Sequence, residues 1–538
     1  MSDMLSFGVR NLRSFAGREQ LLPVKAVSVF VGKNSCGKST FLRTYPLLRQ
    51  SVESDTRSPI LWYGGHGGYV DFGDFLTALH DGAKEIFFDF EVDLDIFFNG
   101  EKSFFSTFLD SKLYSFDNGV FAHKSKKYKT KISIGLMRRD KEVLSTSVCF
   151  CVGDAKATLI YCGEEVLSFA VESLVSDLRY EYDAKIITSK GHLIPKSIAG
   201  LKEVMVKDVG KRLAPVDCLE QHSLFEMEEY VSGFFGKRPP KKIREKLRGI
   251  EFLQGAELFA AIKTIFYGEK NLLPKLESSE SEFVDVFSLL LLARNVNRFW
   301  DAADDLFKAF YGGVRYLGPL RASAERFYRH QDLQIGEIDH TGANLPMVIN
   351  SLEPKKKKEL SDWILEQFGF RVELLTSGLH YAIQIKEEGE EKYHNISDMG
   401  FGYSQILPVI VSVWLELIDK TSASKARSLI RQRKSDARTL VIEQPELHLH
   451  PALQYKFGLA IAKVAALSRG RGYNFVIETH SKHLIDALGE SVRLGGISEE
   501  EISIALFEKN KKGSTEILFS GFDQDGYLVN WPAGFLSA

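Results

Sequence analysis

The chain has 538 residues, 44% apolar and 26% charged, a composition that suits about two to four domains with substantial cores and argues against extensive disorder. Its net charge of −2 means that any affinity for nucleic acid must come from local patches. Five cysteines (Cys36, Cys149, Cys151, Cys162, Cys218) are too few and too irregular for a disulfide framework, and the C-x-C pair Cys149/Cys151 has no second ligand pair nearby to make a zinc site.

The N-terminal "MSDMLSFGVRNLRSF" lacks an apolar signal core, and the longest apolar run, "VFSLLLLA" (286–293), is too short to span a bilayer. A cytoplasmic protein with reduced thiols is the expectation. Residues 4–31 read as β-structure ending in the apolar strand "VSVFV" (27–31), followed by a glycine-rich turn and a helix over roughly 38–50. Residues 61–75 form a glycine-punctuated loop. Residues 86–172 alternate apolar and polar in short runs, as in "IFFDFEVDLDIFF", which predicts an antiparallel sheet. Residues 220–311 switch to helical periodicity without sustained heptads, which argues against long coiled-coil arms.

From Val314 an α/β alternation returns, with strands at 439–443 and 474–479 and helices at 452–467 and 481–488. The chain therefore divides into an N-terminal part of an α/β head (1–85), a β-rich part (86–219), a helical insertion (220–312) and a C-terminal part of the same head (313–538). The fold class is α/β: a core assembled from both ends of the chain and split by a large insertion that contains an antiparallel sheet and a helical segment.

"GKNSCGKST" carries the chemistry of the first part. It matches G-x-x-x-x-G-K-[ST] between a strand and a helix, the context that motif needs. Gly32, Lys33, Asn34, Ser35, Cys36, Gly37, Lys38, Ser39 and Thr40 form the candidate phosphate cradle for ATP. Backbone amides turn inward at the two glycines, Lys38 reaches the β- and γ-phosphates, and Ser39 ligates Mg²⁺. Cys36 reads as a small loop filler.

A P-loop magnesium site needs a carboxylate at the end of a second apolar strand. Glu443 ends "RTLVIE" in that position and is read, with Ser39, as a metal residue. Gln444 follows it where a motor ATPase places its catalytic glutamate. Glutamine orients a water but does not accept its proton, so either hydrolysis is slow or Glu446 serves as the base. His480, just past the strand ending "ETHS", is placed to reach a γ-phosphate. In "NISDMGFGYSQILP" (395–408), Ser397, Gly400 and Gly402 precede a long apolar helix, roughly 404–418, and make an anion-binding entry for a second subunit's ATP.

Together these four elements, in this order, resemble the ABC-type ATPase heads of the SMC, RecF and OLD group. On that resemblance "GKNSCGKST" is the Walker A loop, "ISDMG" the signature loop, "TLVIEQPE" Walker B and "ETHS" the switch-histidine loop. The group dimerises head to head around two ATPs. "YLGPLRASAERFY", "EQPELHLHPALQ", "ETHSKHLI" and "DGYLVNWPAGF" look like the PtuA-type ATPases of Septu anti-phage systems, including retron-associated versions. That resemblance implies an HNH nuclease partner of the PtuB type, and in the retron versions a reverse transcriptase with its RNA/DNA product. The competing expectation is a RecF-type repair ATPase that acts on DNA without a nuclease partner.

Other features read as structural. "FDQDG" (522–526) is a glycine turn with loop carboxylates, in too little remaining chain for a Toprim nuclease fold. His448 and His450 pack a turn closed by Pro451. Arg321 and Arg326 are candidate nucleotide or interface arginines. Four basic clusters (123–131, 236–248, 354–358 and 425–434) are solvated loops or a phosphate-contacting surface.

Overall fold

Strict alternation along Glu85–Phe97 puts Ile86, Phe88, Phe90, Val92, Leu94 and Ile96 on one buried face. That strand is third in an eight-stranded antiparallel sheet. Its order is Leu21–Pro23, Met4–Arg10, Glu85–Phe97, Ser125–Arg138, Leu144–Val152, Ala155–Cys162, Glu165–Ser173 and Arg179–Glu181. The antiparallel sheet expected over 86–172 is thus present, and it begins earlier, because Met4–Arg10 pairs with Glu85–Phe97. The computed structural model describes residues 4–54, 59–97, 125–138, 144–187, 192–195, 197–206, 210–216, 218–235, 240–267, 269, 273–329, 336–423, 438–469 and 472–532.

The buried face of this sheet packs on the 33-residue helix Glu280–Gly312. Its middle, Asp285–Ala293, is buried on every side, while Asp301 and Asp305 further along are exposed. Phe307 sits 4.7 Å from Phe90, ring to ring, and Trp300 sits 4.6 Å from Phe150. Each large side chain buried this way contributes about 1.5–3 kcal/mol. Shorter helices, Cys218–Phe235, Lys241–Arg248, Gly255–Ile265 and Leu273–Ser278, precede it.

The second sheet positions the site. Its order is Val314–Leu317, Arg438–Glu443, Tyr473–Glu478, Val27–Gly32, Ile502–Lys509, Thr515–Phe522 and Leu528–Val529. The first five strands are parallel and the last two antiparallel. One N-terminal strand, Val27–Gly32, lies between strands that all come from residue 314 onward, as expected for a head split by an insertion. Both faces are covered. Val441, Val476 and Phe507 join the core of the long helix, while Val29, Ile442, Ile477 and Ile504 face the other core. Coverage on both sides explains why these strands read as continuous apolar runs.

A small antiparallel sheet, Tyr328–Arg329, His380–Glu387, Phe370–Ser377 and His394–Asn395, leads into helix Phe401–Ala423. That helix is longer at both ends than the expected 404–418. The helix expected over 38–50 is divided into Lys38–Leu42 and Thr44–Glu53. Pro46 has no N–H for the Leu42 carbonyl, and its ring crowds that carbonyl, so the helix breaks at Arg43. No helix among the described residues is long and apolar enough to cross a membrane.

Candidate nucleotide site

The Val27–Gly32 strand is wholly buried and delivers the glycine-rich loop to the C-terminal edge of the parallel sheet. A Cβ at Gly32 would lie 2.4 Å from the Phe507 carbonyl oxygen, so the neighbouring strand dictates glycine there. Gly37 has φ +101°, and a Cβ there would meet the Thr515 and Ser14 hydroxyls at 2.7 and 2.9 Å. Lys33, Asn34 and Ser35 form the exposed crest, and Thr40 lies on the first helix.

Lys38 is buried, and its Nζ donates to the Gly32 and Lys33 carbonyls at 3.0 and 2.8 Å. The Cys36 thiol donates to the Lys33 carbonyl at 2.8 Å, and burial pushes its pKa up, which suits a loop filler.

The sequence pairs Ser39 with Glu443. The structure instead brings Ser39 to Glu478: its hydroxyl donates to Glu478 Oε1 at 2.9 Å. The reason is strand order. Tyr473–Glu478 lies between the P-loop strand and Arg438–Glu443, and the register sets Glu478 opposite Phe30 and Glu443 opposite Glu478. Glu443 is therefore one strand further out. Its carboxylate accepts both Arg43 Nε and Nη2, at 2.7 and 2.8 Å, and the Tyr316 hydroxyl at 2.7 Å.

Glu478 Oε2 is buried without a hydrogen-bond partner. Burial pushes the Glu478 carboxyl up to about 7 against the lowering effect of the Ser39 bond, and the neighbouring Glu443 charge adds to the rise. Mg²⁺ takes hard oxygen ligands. The Ser39 hydroxyl and the Glu478 carboxylate are oxygen donors of that kind, so the residues fit the ion.

Gln444 turns the chain at φ +42°, its N–H donating to the Glu478 carbonyl at 2.9 Å. Glu446 faces the loop of Thr479 and His480. Its Oε1 accepts the His480 N–H at 2.6 Å and its Oε2 the Thr479 hydroxyl at 2.9 Å. Burial raises the Glu446 carboxyl despite these bonds. His480 Nε2 is buried without a partner. Burial and then the Lys38 charge hold the imidazole below its ordinary range, so it is neutral near pH 7.

The turn "ELHLHP" is built by packing. His450 Nδ1 accepts the Ala452 N–H at 3.2 Å and caps helix Pro451–Leu467, while the His448 ring lies edge-on to Phe401 at 4.9 Å. No group of three or more potential metal ligands from His, Cys, Asp and Glu occurs among the described residues. The "FDQDG" stretch is a turn in which Asp523 accepts the Asp525 and Tyr527 N–H groups, at 3.0 and 2.8 Å.

In the 395–400 stretch, Ser397 and Gly400 are exposed, and a Cβ at Gly400 would have nothing within 4 Å. Among the described residues no hydrogen bond or ion pair joins them to Gly32–Thr40. Gly402 lies against the turn after Glu443, where a Cβ would sit 2.6 Å from the His448 carbonyl oxygen. Arg326 pairs with Asp398 of this loop. Arg321 is buried: its Nη2 donates to the Glu443 carbonyl at 2.8 Å, and its own backbone exchanges hydrogen bonds with the Gln405 side chain. Arg321 thus ties helix Phe401–Ala423 to the Glu443 strand.

The basic clusters differ. Lys127, Lys129 and Lys131 stand opposite Asp95, Asp93 and Glu91, so the strand register offsets much of that patch. Lys241, Lys242, Lys246 and Arg248 of helix Lys241–Arg248 are exposed. At the helix start Pro354–Lys358, Lys356 pairs with Glu359 at 2.7 Å. The 425–434 cluster lies outside the described residues, as do 123–124 of the first and 236–239 of the second.

Sequence reasoning missed Glu478, Arg43, Tyr316 and Thr479. One signal for Glu478 was available, since "LVIE" and "FVIE" end both strands in Val-Ile-Glu.

Residues 319–485 match the family model of an AAA ATPase domain. That span carries Arg321, Ser397, Gly400, Glu443, Glu446, Glu478 and His480, but not Gly32–Thr40. No curated protein matches the chain. Among solved structures, an Smc head domain with an extended coiled coil bound to the C-terminal domain of ScpA, from Pyrococcus furiosus, is 9% identical; the match covers 96% of each chain with a TM-score of 0.32. An SmcHead bound to the C-winged helix domain of ScpA is 8% identical, over 97% of this chain and 98% of that one, with a TM-score of 0.35. The AAA ATPase domain model thus matches under half of the chain.

Proposed function

We propose that the chain is a Mg²⁺- and ATP-binding, slowly hydrolysing ABC-type ATPase head. It dimerises around ATP in the cytoplasm and thereby regulates an HNH-type effector nuclease in anti-phage defence. One observation carries the nucleotide reading. The glycine-bounded loop with Lys38 and Ser39 meets a buried carboxylate and the unpartnered His480 Nε2 at one edge of one sheet.

ATP supplies the phosphoanhydride to be cleaved. The loop amides and Lys38 would hold its phosphates, Ser39 with a carboxylate would hold Mg²⁺, and His480 Nε2–H would donate to a γ-phosphate oxygen. Gln444 orients water without taking its proton, which fits a long-lived ATP state. Both oxygens of Glu446 already accept protein donors, which suits a positioning role for His480 over that of the base. Ser397 and Gly400, exposed and apart from this chain's own P-loop, suit completion of a second subunit's site. The nuclease, the defence role and any reverse transcriptase rest on the sequence resemblance alone.

The test is purification of the full chain together with its operon neighbours. A copurifying HNH protein, bound ATP and ATP-dependent dimerisation lost in Lys38→Ala are expected. DNA-stimulated hydrolysis without a nuclease partner would favour the RecF-type alternative. Fast multiple turnover by the isolated chain would overturn the switch reading.

A further inference from the structure

Two acidic strand ends lie side by side at the sheet edge, and their partners differ. Glu443 is saturated: Arg43 takes both oxygens and the Tyr316 hydroxyl adds a third bond. Glu478 has one oxygen on the P-loop serine and the other buried and unpartnered. From these contacts we infer that Glu478 is the carboxylate that completes the Mg²⁺ site with Ser39. Glu443 is then a positioning residue that holds the break between the first two helices against the sheet through Arg43. This rests on the reading that the chain binds Mg²⁺ with ATP, and it names the carboxylate that reading leaves open.

Three physical points support the assignment. First, the Glu478 strand is hydrogen-bonded directly to the P-loop strand, and the Glu443 strand is not. Second, an unpaired buried carboxylate oxygen is costly, and a cation beside it removes that cost. Lys38 Nζ is the nearest cation recorded, at 3.9 Å from Oε1, and its hydrogen bonds go to the loop carbonyls. Third, a metal at Glu443 would have to displace a two-pronged guanidinium pair, the strongest common geometry for a carboxylate.

The experiment uses the full chain as wild type, Glu478→Gln and Glu443→Gln. A fluorescent ATP analogue is titrated with Mg²⁺ and with EDTA, and thermal melting of each variant is recorded. The readout is the gain in nucleotide affinity on adding Mg²⁺, which does not depend on turnover. Glu478→Gln is expected to reduce that gain by roughly tenfold or more, while Glu443→Gln leaves it within about threefold. Should Glu478→Gln fail to fold, Glu478→Asp keeps the charge but withdraws the oxygens by one methylene, and the same loss is expected. Loss of the gain in Glu443→Gln, or its retention in both Glu478 variants, overturns the inference and leaves the ATPase reading intact. A wild-type chain that binds no nucleotide overturns both.

Discussion

Glu446 and His480 are bonded through the backbone: Glu446 Oε1 accepts the His480 N–H at 2.6 Å, and Oε2 takes the hydroxyl of the preceding Thr479 at 2.9 Å. Two loops at the sheet edge are clamped by one carboxylate, and the imidazole of His480 is left with a free Nε2. Glu446→Ala leaves the His480 N–H and the Thr479 hydroxyl without their acceptor, at a cost of about 1–3 kcal/mol for each group left buried. Urea denaturation should show that loss. Glu446→Gln keeps an acceptor for the N–H and should retain hydrolysis. Abolished turnover with unchanged ATP affinity in Glu446→Gln would instead make Glu446 the base.

Gln444 sits directly after Glu443 and is anchored by its N–H to the Glu478 carbonyl. The anchor is main-chain, so Gln444→Glu keeps it while adding a proton acceptor. A positioned general base contributes about 10²-fold or more, and single-turnover hydrolysis should accelerate on that scale. An unchanged rate would show that position 444 does not face the attacking water.

Thiol chemistry separates two regions of the molecule. Cys36 is buried with a raised pKa, so less of it is thiolate at pH 8 than of an ordinary cysteine. The Cys151 thiol is held below the ordinary range, first by the hydrogen bond with Cys149, with burial opposing and Lys156 and Lys131 assisting. Brief iodoacetamide treatment of native protein at pH 8, read by peptide mapping, should label Cys151 well before Cys36. The reverse order would show the P-loop to be open around Cys36.

What the sequence revealed follows from the range of the forces involved. The P-loop was legible because its glycines answer to close backbone contacts within a short motif, and Ile86–Ile96 because alternation is a property of one strand. Glu478 was not legible as the partner of Ser39. Two strands end in Val-Ile-Glu, and nothing local says which of them lies beside Val27–Gly32. The role of Arg43 depends on a helix break caused by Pro46 and on a carboxylate some 400 residues away in the chain. The lysines of 125–131 read from the sequence alone as solvated loops or a phosphate-contacting surface, and only the register shows Glu91, Asp93 and Asp95 opposite them. In each case the missing information is non-local pairing, which composition and periodicity do not carry.

Gly400 and Gly402 offer a last test, because the glycine just before helix Phe401–Ala423 and the one in its first turn face different neighbours. A methyl group at Gly402 would lie 2.6 Å from the His448 carbonyl oxygen, a rigid backbone atom, so Gly402→Ala should lower the melting temperature. At Gly400 nothing lies within 4 Å, and Gly400→Ala should melt like the wild type. If Gly400 closes over a second subunit's ATP, that variant should still bind nucleotide yet lose ATP-dependent dimerisation in light scattering. A Gly400→Ala protein that dimerises normally would remove the signature loop from the interface and leave its exposure without a role in ATP binding.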